Sequence, residues 1–577
     1  MLKHFIFYAC LLFISQLFAQ EDIYLKNETY TYDETIEIYK KFAKDFPKKT
    51  RYTEMGSSDF GLPMSLFLMS EKGDFSTETL HSQRVILINN GIHPGEPCGV
   101  DACIKLCREM LNGEIPKNVI IAIIPIYNIG GAHNRNCCSR ANQNGPIEYG
   151  FRGNAKNLDL NRDFIKTDSE NTKAFRAIFH YLKPTLFVDT HTSNGADYQH
   201  SMTLITSQLD KMNPALAEYT QNTLNPFLYK SMQEAQFPMV PYMHTYKETP
   251  DDGIIDFLET PRYSTGYTNL FNTISYVTEA HMLKPYPVRV DATYHFLALL
   301  IEFASMYEDE LKSVRNIAQQ DLLKKEYLHL NWMLDTTVFD TIPFKGYAAI
   351  YKPSAVTGNQ RLYYDHAQPY EKHIRYYNHY IPTDSAKIPT YYILPKAWSY
   401  FILDLSNNQF PYYSLAADQI LTVESYEILD YATTSSPYEG HYVHSNIRTR
   451  TVTHERHFRK GDIVIPVRND ALRFIMETLE PRAVDSYFAW NYFDAILQQK
   501  EWFSAYVFED EAAEMLRNDS QLRADFERMK ANDSTFAASD FAQLYYLYKQ
   551  SPNYETTHNL YPVAKTYESL DELLLLR

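Results

Sequence analysis

Residues 84–97 of the chain read RVILINNGIHPGEP, and this stretch decides the fold class. Its first part, from Arg84 to Ile88, predicts a mostly apolar strand, and the Asn-Asn-Gly that follows predicts the turn that ends it. A strand without a polar face has to be covered on both sides, as in parallel sheets flanked by helices. Two polar side chains with metal-binding groups, His93 and Glu96, follow directly on the loop.

The same alternation continues through the first half of the chain. Apolar runs that predict strands lie at 64–69, 84–88, 119–126, 185–190 and 274–278. Stretches with helical spacing of apolar residues lie at 31–46, 98–111, 171–182 and 291–306. Strands that alternate with helices are typical of α/β proteins. We therefore predict an α/β fold with a mixed, mostly parallel sheet and helices on both faces.

The second half differs in residue composition and in predicted secondary structure. Residues 340–470 are rich in Tyr, Thr and Val with frequent turn residues, which predicts a β-rich module. Helical spacing returns at 471–479, 494–514 and 541–549. The predicted organisation is a signal peptide at 1–19, an α/β domain at 20–310, a β-rich accessory module at 335–470 and a helical C-terminal segment at 471–577. The sequence assigns no role to the last two.

Length and composition exclude several classes of protein. The chain has 577 residues, of which 45% are hydrophobic and 22% charged, as in folded domains rather than disordered ones. Lys and Arg number 55 against 71 Asp and Glu, so the net charge is −16. Such a chain has no general attraction for phosphate backbones, and we expect no nucleic-acid partner. The oligomeric state is left open.

The N-terminus has the pattern of a signal peptide. Lys3 and His4 precede an apolar run from residue 5 to 18, and Ala19 offers a small residue for cleavage. The run is shorter than the roughly 20 residues that span a bilayer, although a retained anchor is the alternative. We expect a secreted or periplasmic protein with no membrane span after removal of the signal.

Six cysteines are present, and the one at position 10 lies in the signal peptide. The remaining five are an odd number, so they cannot all pair internally. Cys103 and Cys107 fall on the apolar face of a predicted helix, and we expect them in the core. Cys137 and Cys138 are adjacent, and one of them could pair with a distant partner.

Polar residues at the ends of two predicted strands point to a metal site. His93 and Glu96 follow the first strand, and His191 ends the run Leu-Phe-Val-Asp-Thr-His. In open α/β sheets, ligands bind at the carboxyl ends of strands, so these side chains should face one crevice. Two His and one Glu that leave a fourth position open are typical of a catalytic zinc. Taken alone, the first motif could equally be a polar turn.

The segment between these motifs reads RGNAKNLDLNRDF from residue 152 to 164. An Asn-Arg pair such as Asn161-Arg162 suits a substrate carboxylate, because guanidinium binds carboxylate with two parallel hydrogen bonds. Arg152 could polarise a scissile carbonyl, although either arginine alone could belong to a surface turn. Glu279, at the end of another apolar strand, is a candidate general base.

Taken in order, HPGEP, RGNAKNLDLNRDF, VDTHTS and a strand ending in TE resemble the zinc carboxypeptidase family. The resemblance covers roughly residues 31–306 and makes the predicted α/β domain the catalytic one. It implies one zinc ion per chain, bound by His93, Glu96 and His191. It further implies Arg152 as electrophilic partner, Asn161 and Arg162 as holders of the substrate's terminal carboxylate, and Glu279 as base.

The chain departs from the family pattern at several points. The family's Asn-Arg-Asn is here completed by Asp163, and His281 follows closely on the predicted base. The tyrosine that covers the substrate in many members is not fixed by spacing, so Tyr263 and Tyr267 are both candidates for substrate binding. Arg262 either favours an acidic substrate residue or is a plain surface arginine.

The predicted function is that of a secreted zinc metallopeptidase, most specifically a metallocarboxypeptidase that releases C-terminal residues from a peptide substrate. A cell-wall peptide amidase or endopeptidase and an N-acyl amino acid deacylase share this type of zinc site and are alternatives. From another class, the chain could be a non-catalytic peptide-binding protein on a peptidase fold. Two His-x-x-His pairs, at 441–444 and 454–457, either form a second metal site or are exposed on strand faces.

Overall fold

The structure, a computed structural model, describes residues 22–398 and 410–576. These residues form two compact units. The first comprises 22–388, 410–412 and 466–486, and the second comprises 389–398, 413–465 and 487–576. The units therefore divide the chain at other places than the predicted boundaries, because the segment 466–486 returns to the first unit.

The predicted signal peptide, residues 1–19, lies outside the described residues, so secretion stays a prediction. Within 22–398 and 410–576, no helix has both the length and the apolar character that crossing a membrane requires.

The first unit contains most of the secondary structure. Its strands are β1 (Thr50–Ser57), β2 (Pro63–Met69), β3 (Arg84–Asn90), β4 (Val119–Ile124), β5 (Leu186–Ser193), β6 (Met202–Thr206), β7 (Met239–Pro241), β8 (His244–Thr245), β9 (Ile254–Ile255), β10 (Ile274–His281), β11 (Tyr327–Leu334), β12 (Asp340–Pro353), β13 (Gln360–Tyr377) and β14 (Tyr380–Lys387). Its helices are α1 (Tyr32–Asp45), α2 (Thr77–Ser82), α3 (Cys98–Asn112), α4 (Ile129–His133), α5 (Glu170–Leu182), α6 (Pro214–Tyr219), α7 (Asn225–Glu234), α8 (Ser264–Asn269), α9 (Tyr286–Met306), α10 (Glu308–Lys324) and α11 (Leu472–Leu479).

An eight-stranded sheet in the order β1-β2-β4-β3-β5-β10-β6-β7 organises this unit. The four central strands, β4, β3, β5 and β10, are mutually parallel. Strands β1 and β2 pair antiparallel on one side, and β6 pairs antiparallel with β10 on the other. The predicted α/β fold class, with its mixed and mostly parallel sheet, is confirmed.

Helices cover both faces of the sheet. On one face, Leu186 and Val188 of β5 pack in a core cluster that includes residues of α1, α3 and α9. On the other face, Phe187 meets Phe175 of α5, with ring centroids 5.8 Å apart. Successive residues of β5 thus point to opposite apolar layers, which explains why the strand has no polar face.

Two glycines shape the connection from β3 to α3. Gly91 has φ +67°, a conformation that residues with a side chain adopt rarely. At Gly99, a Cβ atom would lie 1.9 Å from Oγ1 of Thr190. The first turn of α3 therefore packs directly on the end of β5, and this contact brings the loop after β3 close to His191.

The cysteines confirm one expectation and correct another. Cys103 and Cys107 are fully buried free thiols on α3, as predicted. Cys137 and Cys138 form a disulfide with each other, so the pairing of one of them with a distant partner is wrong.

The second unit contains a seven-stranded sheet and a group of helices. Its strands are β15 (Tyr391–Leu394), β16 (Tyr413–Leu415), β17 (Gln419–Thr433), β18 (His444–Phe458), β19 (Ile463–Pro466), β20 (Ala564–Thr566) and β21 (Leu574–Leu576), and its helices are α12 (Ala505–Asn518), α13 (Ser520–Asn532), α14 (Ser534–Ala537) and α15 (Asp540–Tyr548). The predicted order of a β-rich region followed by helices is confirmed. A continuous helix over 494–514 is wrong, because the chain forms only a short turn at Asp494–Leu497 and the helix begins at Ala505. Between them, Gln499 is buried and accepts a hydrogen bond from Tyr545.

Two of the predicted substrate-binding residues, Asn161 and Arg162, lie on a short turn, Leu160–Arg162. Asp163 directly after it is fully buried and accepts hydrogen bonds from the backbone N–H groups of Asp168 and Ser169 at 2.9 and 3.0 Å. It also pairs with Lys166 at 2.9 Å. The departure from the family pattern at this position therefore has a structural reason, since the carboxylate fixes the segment that presents Arg162.

Replacing Asp163 by Ala should destabilise this unit strongly. The change leaves Lys166 with one carboxylate fewer and two backbone donors unsatisfied, and breaking a buried pair costs about 3–5 kcal/mol. Urea unfolding of the variant measures this loss. Asp168→Ala is the matched control, because Asp168 also pairs with Lys166 but is partly exposed, and a smaller loss is expected there. An Asp163→Ala variant as stable as the wild type would contradict this account.

Candidate active site

Three predicted metal ligands meet at the carboxyl edge of the sheet. Their donor atoms all lie within 4.8 Å of one another, and all three residues are buried. Glu96 is at the centre, with Oε1 3.3 Å from Nδ1 of His93 and Oε2 3.0 Å from Nδ1 of His191. Within the described ranges, no other group of His, Cys, Asp or Glu residues has this geometry.

The sheet explains why the three residues meet. Strands β3 and β5 are parallel neighbours, and their register pairs Asn90 with Thr190. His191 is therefore one residue beyond this pair on β5, and the loop that carries His93 and Glu96 starts at the same edge. The sequence separates Glu96 from His191 by 95 positions, so only the pairing of the strands brings them together.

Each histidine is oriented by a further carboxylate. Nε2 of His93 lies 2.9 Å from Asp159, and Nε2 of His191 lies 3.1 Å from Asp189. Both rings therefore turn Nδ1 toward Glu96, the arrangement by which outer carboxylates orient metal-binding histidines. The sequence analysis missed both roles. The only available signal was the position of each Asp inside a motif, Asp159 in DLNR and Asp189 two residues before His191.

The electrostatics of the cluster follow from buried charges. Burial alone would raise the pKa of Glu96, but Arg140, His93 and His191 outweigh it and hold that pKa well below its usual range. Burial alone would lower the pKa of His191, but Asp189 and Glu96 raise it well above its usual value. Metal binding at His191 therefore displaces a proton, as is usual for histidine ligands.

The donor set fits zinc. Two imidazole nitrogens and one carboxylate oxygen are the protein ligands of many catalytic zinc sites, which keep a fourth position for water or substrate. The three donors are preformed, buried and oriented from behind by carboxylates. His93, Glu96 and His191 would hold the ion.

A cavity of about 420 Å³ opens beside these residues. The predicted site residues that line it are His93, Glu96, Arg152, Asn161, Arg162, His191, Tyr263 and Glu279. Cavities of this size take small ligands or a few residues of a larger one. One cleft therefore contains the metal ligands and almost all of the predicted catalytic and substrate-binding residues.

Glu279 lies on β10, the strand next to β5, which carries His191. Strand β10 runs parallel to β5, and the register pairs Glu279 directly with His191. Burial raises the pKa of Glu279 to about 8, with the positive charge of His191 opposing this shift and Glu96 adding to it. A cation held by the three ligands favours the charged form of this carboxylate.

Two arginines border the ligand cluster. Arg152 donates to Asp159 from Nε at 3.0 Å and from Nη2 at 2.8 Å, and its side chain is 44% exposed in the cleft. Arg140 donates to Oε1 of Glu96 at 2.8 Å and to the carbonyl of Thr192 at 3.3 Å. The sequence analysis missed Arg140, because it lies on an irregular loop without a motif that would single it out.

Asn161 and Arg162 lie at the other side of the cleft. The side-chain oxygen of Asn161 accepts a hydrogen bond from the backbone N–H of Ser264 at 3.2 Å, so its amide nitrogen is the end that can donate to a substrate. The guanidinium of Arg162 lies 4.7 Å from the ring centre of Tyr263 and 3.8 Å from Asp159.

Only one of the two candidate tyrosines is in the cleft. Tyr263 lines the cavity, whereas Tyr267 is fully buried and 2.9 Å from Nε2 of His180. Tyr267 as a substrate-binding residue is therefore wrong, because α8 turns its ring into an aromatic core. Arg262 is not a surface arginine either, since it forms an ion pair with Asp485 at 2.7 Å.

Of the other histidines singled out in the sequence, His457 is exposed on β18. The rest have structural partners, and Nδ1 of His441 lies 2.7 Å from Oδ1 of Asn491. His281 is fully buried and stacks on Tyr198, with ring centroids 4.0 Å apart. In the second unit, His444 pairs with Asp494 at 2.9 Å, and His454 lies 3.0 Å from the hydroxyl of Ser425.

Comparison with known proteins agrees with the motifs. The sequence model of the zinc carboxypeptidase family matches residues 35–295, all within the first unit. No curated protein matches the chain.

Several solved structures resemble part of the chain. A metallo-carboxypeptidase from Burkholderia cenocepacia has 16% sequence identity and a TM-score of 0.35, with 48% of this chain and 70% of that chain covered. Bovine thrombin-activatable fibrinolysis inhibitor, in complex with tick carboxypeptidase inhibitor, has 12% identity and a TM-score of 0.37, with coverages of 50% and 99%. Carboxypeptidase A from Helicoverpa armigera has 14% identity and a TM-score of 0.35, with coverages of 51% and 74%.

Replacing Asp159 by Asn should weaken zinc binding. The change removes the charge that orients His93, and loss of such an outer carboxylate lowers metal affinity by about 10–100-fold. Competition with a chromophoric chelator measures the affinity. Asp59→Asn is the matched control, because Asp59 is another buried carboxylate and pairs with Lys156 at 2.8 Å instead of with a histidine. Wild-type zinc affinity in the Asp159→Asn variant would refute the orienting role.

Proposed function

We propose that this chain, whose residues 35–295 form a domain of the zinc carboxypeptidase family, is a metallocarboxypeptidase that removes C-terminal residues from peptides. The family makes the domain a zinc peptidase of the hydrolase class. The observation that supports the finer assignment is the single cleft in which the ligand cluster, Glu279 and the Asn161-Arg162 pair lie together.

Each part of the reaction has a candidate residue in this cleft. Zinc, when bound, supplies Lewis-acid polarisation of the scissile carbonyl and activation of water near neutral pH. Glu279 takes a proton from the attacking water and passes it to the leaving amine. Its place beside His191 on the neighbouring strand puts the carboxylate at the same edge of the sheet as the ligand cluster.

Arg152 stabilises the negative charge that develops on the carbonyl oxygen. Its guanidinium is held by Asp159 with two hydrogen bonds, so its direction is set before the substrate arrives. Donors that are fixed in this way stabilise a developing charge without having to reorganise during the reaction.

Asn161, Arg162 and Tyr263 hold the C-terminal residue of the peptide. The guanidinium and the amide donate to the terminal carboxylate, and the tyrosine ring covers the adjacent space. The Asp189 carboxylate supports this group, because it accepts a hydrogen bond from Ser264 at 2.5 Å while it also orients His191. Substrate and metal are thereby placed relative to each other by one buried side chain.

Replacing Glu279 by Gln should abolish most of the activity without loss of metal. The amide keeps the shape of the side chain but cannot accept the proton, so kcat should fall by on the order of 10² or more. Steady-state kinetics on a peptide and the zinc content of the purified variant are the measurements. A variant with near-normal kcat would show that another group is the base, and a peptide-binding protein would show no turnover in either form.

The requirement for a free C-terminus tests the finer assignment. A charged contact in a partly desolvated cleft contributes roughly 2–5 kcal/mol when one partner is removed. The wild-type enzyme should therefore lose about 30-fold or more in kcat/KM on a C-terminally amidated peptide. Arg162→Ala should cause a similar loss on the free acid and little further loss on the amide, because both changes delete the same interaction.

The matched acid and amide peptides also separate the alternatives. Equal rates of the wild-type enzyme on both would exclude a carboxypeptidase and favour a cell-wall amidase or an endopeptidase. Cleavage of N-acyl amino acids in preference to peptides would favour a deacylase.

A further inference from the structure

The loop that carries Tyr263 is held by a segment far outside the family match. That match ends at residue 295, whereas Asp485 belongs to the segment 466–486 of the first unit. Asp485 is fully buried in its side chain and accepts hydrogen bonds from the backbone N–H of Arg262 at 2.9 Å and from Nε at 2.7 Å. Nη2 of the same arginine lies 2.7 Å from the carboxylate.

The same segment also fixes the far end of helix α8. Arg473 donates from Nη1 to the backbone carbonyl and to the side-chain oxygen of Asn269, both at 2.7 Å. Asn269 is the last residue of α8, and Arg262 lies two residues before its first. The segment 466–486 therefore binds the chain on both sides of α8: at Arg262 before its first residue and at Asn269, its last residue.

Tyr263 lies between two fixed neighbours. On one side Arg262 is bound to Asp485, and its carbonyl accepts a hydrogen bond from Phe164 at 3.2 Å. On the other side Ser264 donates to Asn161. The guanidinium of Arg162 in turn lies over the ring of Tyr263, 4.7 Å from its centre. A displacement of Arg262 would therefore also move Tyr263 and Arg162, the two side chains proposed to contact the substrate.

We propose that Asp485 is a positioning residue for substrate recognition, which sets the place of Tyr263 and Arg162 through its contacts with Arg262. This inference rests on the proposed carboxypeptidase function. It gives part of the chain beyond the family domain a definite role, because Asp485 completes the subsite for the terminal carboxylate without lining the cleft. The residues that carry out proton transfer and metal binding lie on other elements: His191 on β5, Glu279 on β10, and His93 and Glu96 on the loop after β3.

The test is the ratio of kcat/KM on matched acid and amide peptides in Asp485→Asn. The amide keeps the shape of the side chain and loses the charge that holds Arg262. A shift of about 1 Å in a substrate-positioning group can cost up to 10²-fold, so we expect KM for the free acid to rise about tenfold and the acid-to-amide ratio to fall about tenfold. The kcat on the free acid should change by less than about threefold, since Glu279 and the metal ligands lie on other elements than Arg262.

Asp384→Asn is the matched control. Asp384 pairs with Arg482 of the same segment at 2.9 Å and is not among the residues that line the cleft, so its acid-to-amide ratio should equal that of the wild type. If Asp485→Asn does not fold, Arg262→Lys takes its place, because lysine keeps the charge but loses the bidentate contact with Asp485. The acid-to-amide ratio should then shift in the same direction.

A clear acid preference in the wild type that Asp485→Asn or Arg262→Lys leaves unchanged would overturn the inference while the proposed function stands. Lower thermal stability with an unchanged ratio would likewise overturn it, because it would show a purely structural role. Equal wild-type rates on acid and amide would overturn the proposed function, and the inference with it.

Discussion

The register of three parallel strands is the constraint on which the site depends. Strands β3, β5 and β10 end at one edge of the sheet, with Asn90 beside Thr190 and Glu279 beside His191. A slip of one residue in either pairing would turn the side chains to the opposite face. The apolar layers on both faces of β5 prevent such a slip, because every residue of the strand is buried. Core packing and site geometry are therefore fixed by the same pairing.

Buried carboxylates extend this constraint from the sheet into the loops. Asp159 is within hydrogen-bonding distance of His93, binds Arg152 with two hydrogen bonds and accepts the backbone N–H of Asn161 at 2.9 Å. His93 and Arg152 outweigh the effect of burial and hold the pKa of Asp159 well below its usual range. Because removal of one partner from a buried pair leaves an uncompensated charge, the candidate metal ligand His93, Arg152 and the turn that carries Asn161 are coupled through one side chain.

The first unit is larger than the region that matches the zinc carboxypeptidase family model. Its sheet and cleft come from residues within 35–295, but the loop before α8 and the end of that helix are bound by residues 485 and 473. The loop and the helix thus depend on contacts with residues that lie far away in the sequence. The loop before α8 gains a fixed conformation because its backbone donor and its charged side chain find a buried partner.

The sequence by itself determined the α/β class and singled out the three candidate ligands and the candidate base. Each of these follows from a local pattern: apolar runs that predict buried strands, and polar side chains at their carboxyl ends. It could not separate Tyr263 from Tyr267, which lie four positions apart in one short stretch. Only the packing of α8 decided which ring is buried and which faces the cleft. The pairing of Arg262 with Asp485, 223 positions away, and the contact of Arg140 with Glu96 were also decided by the tertiary structure. Burial and charge pairing depend on residues that are distant in the chain, and a local sequence pattern cannot predict which of these residues come into contact.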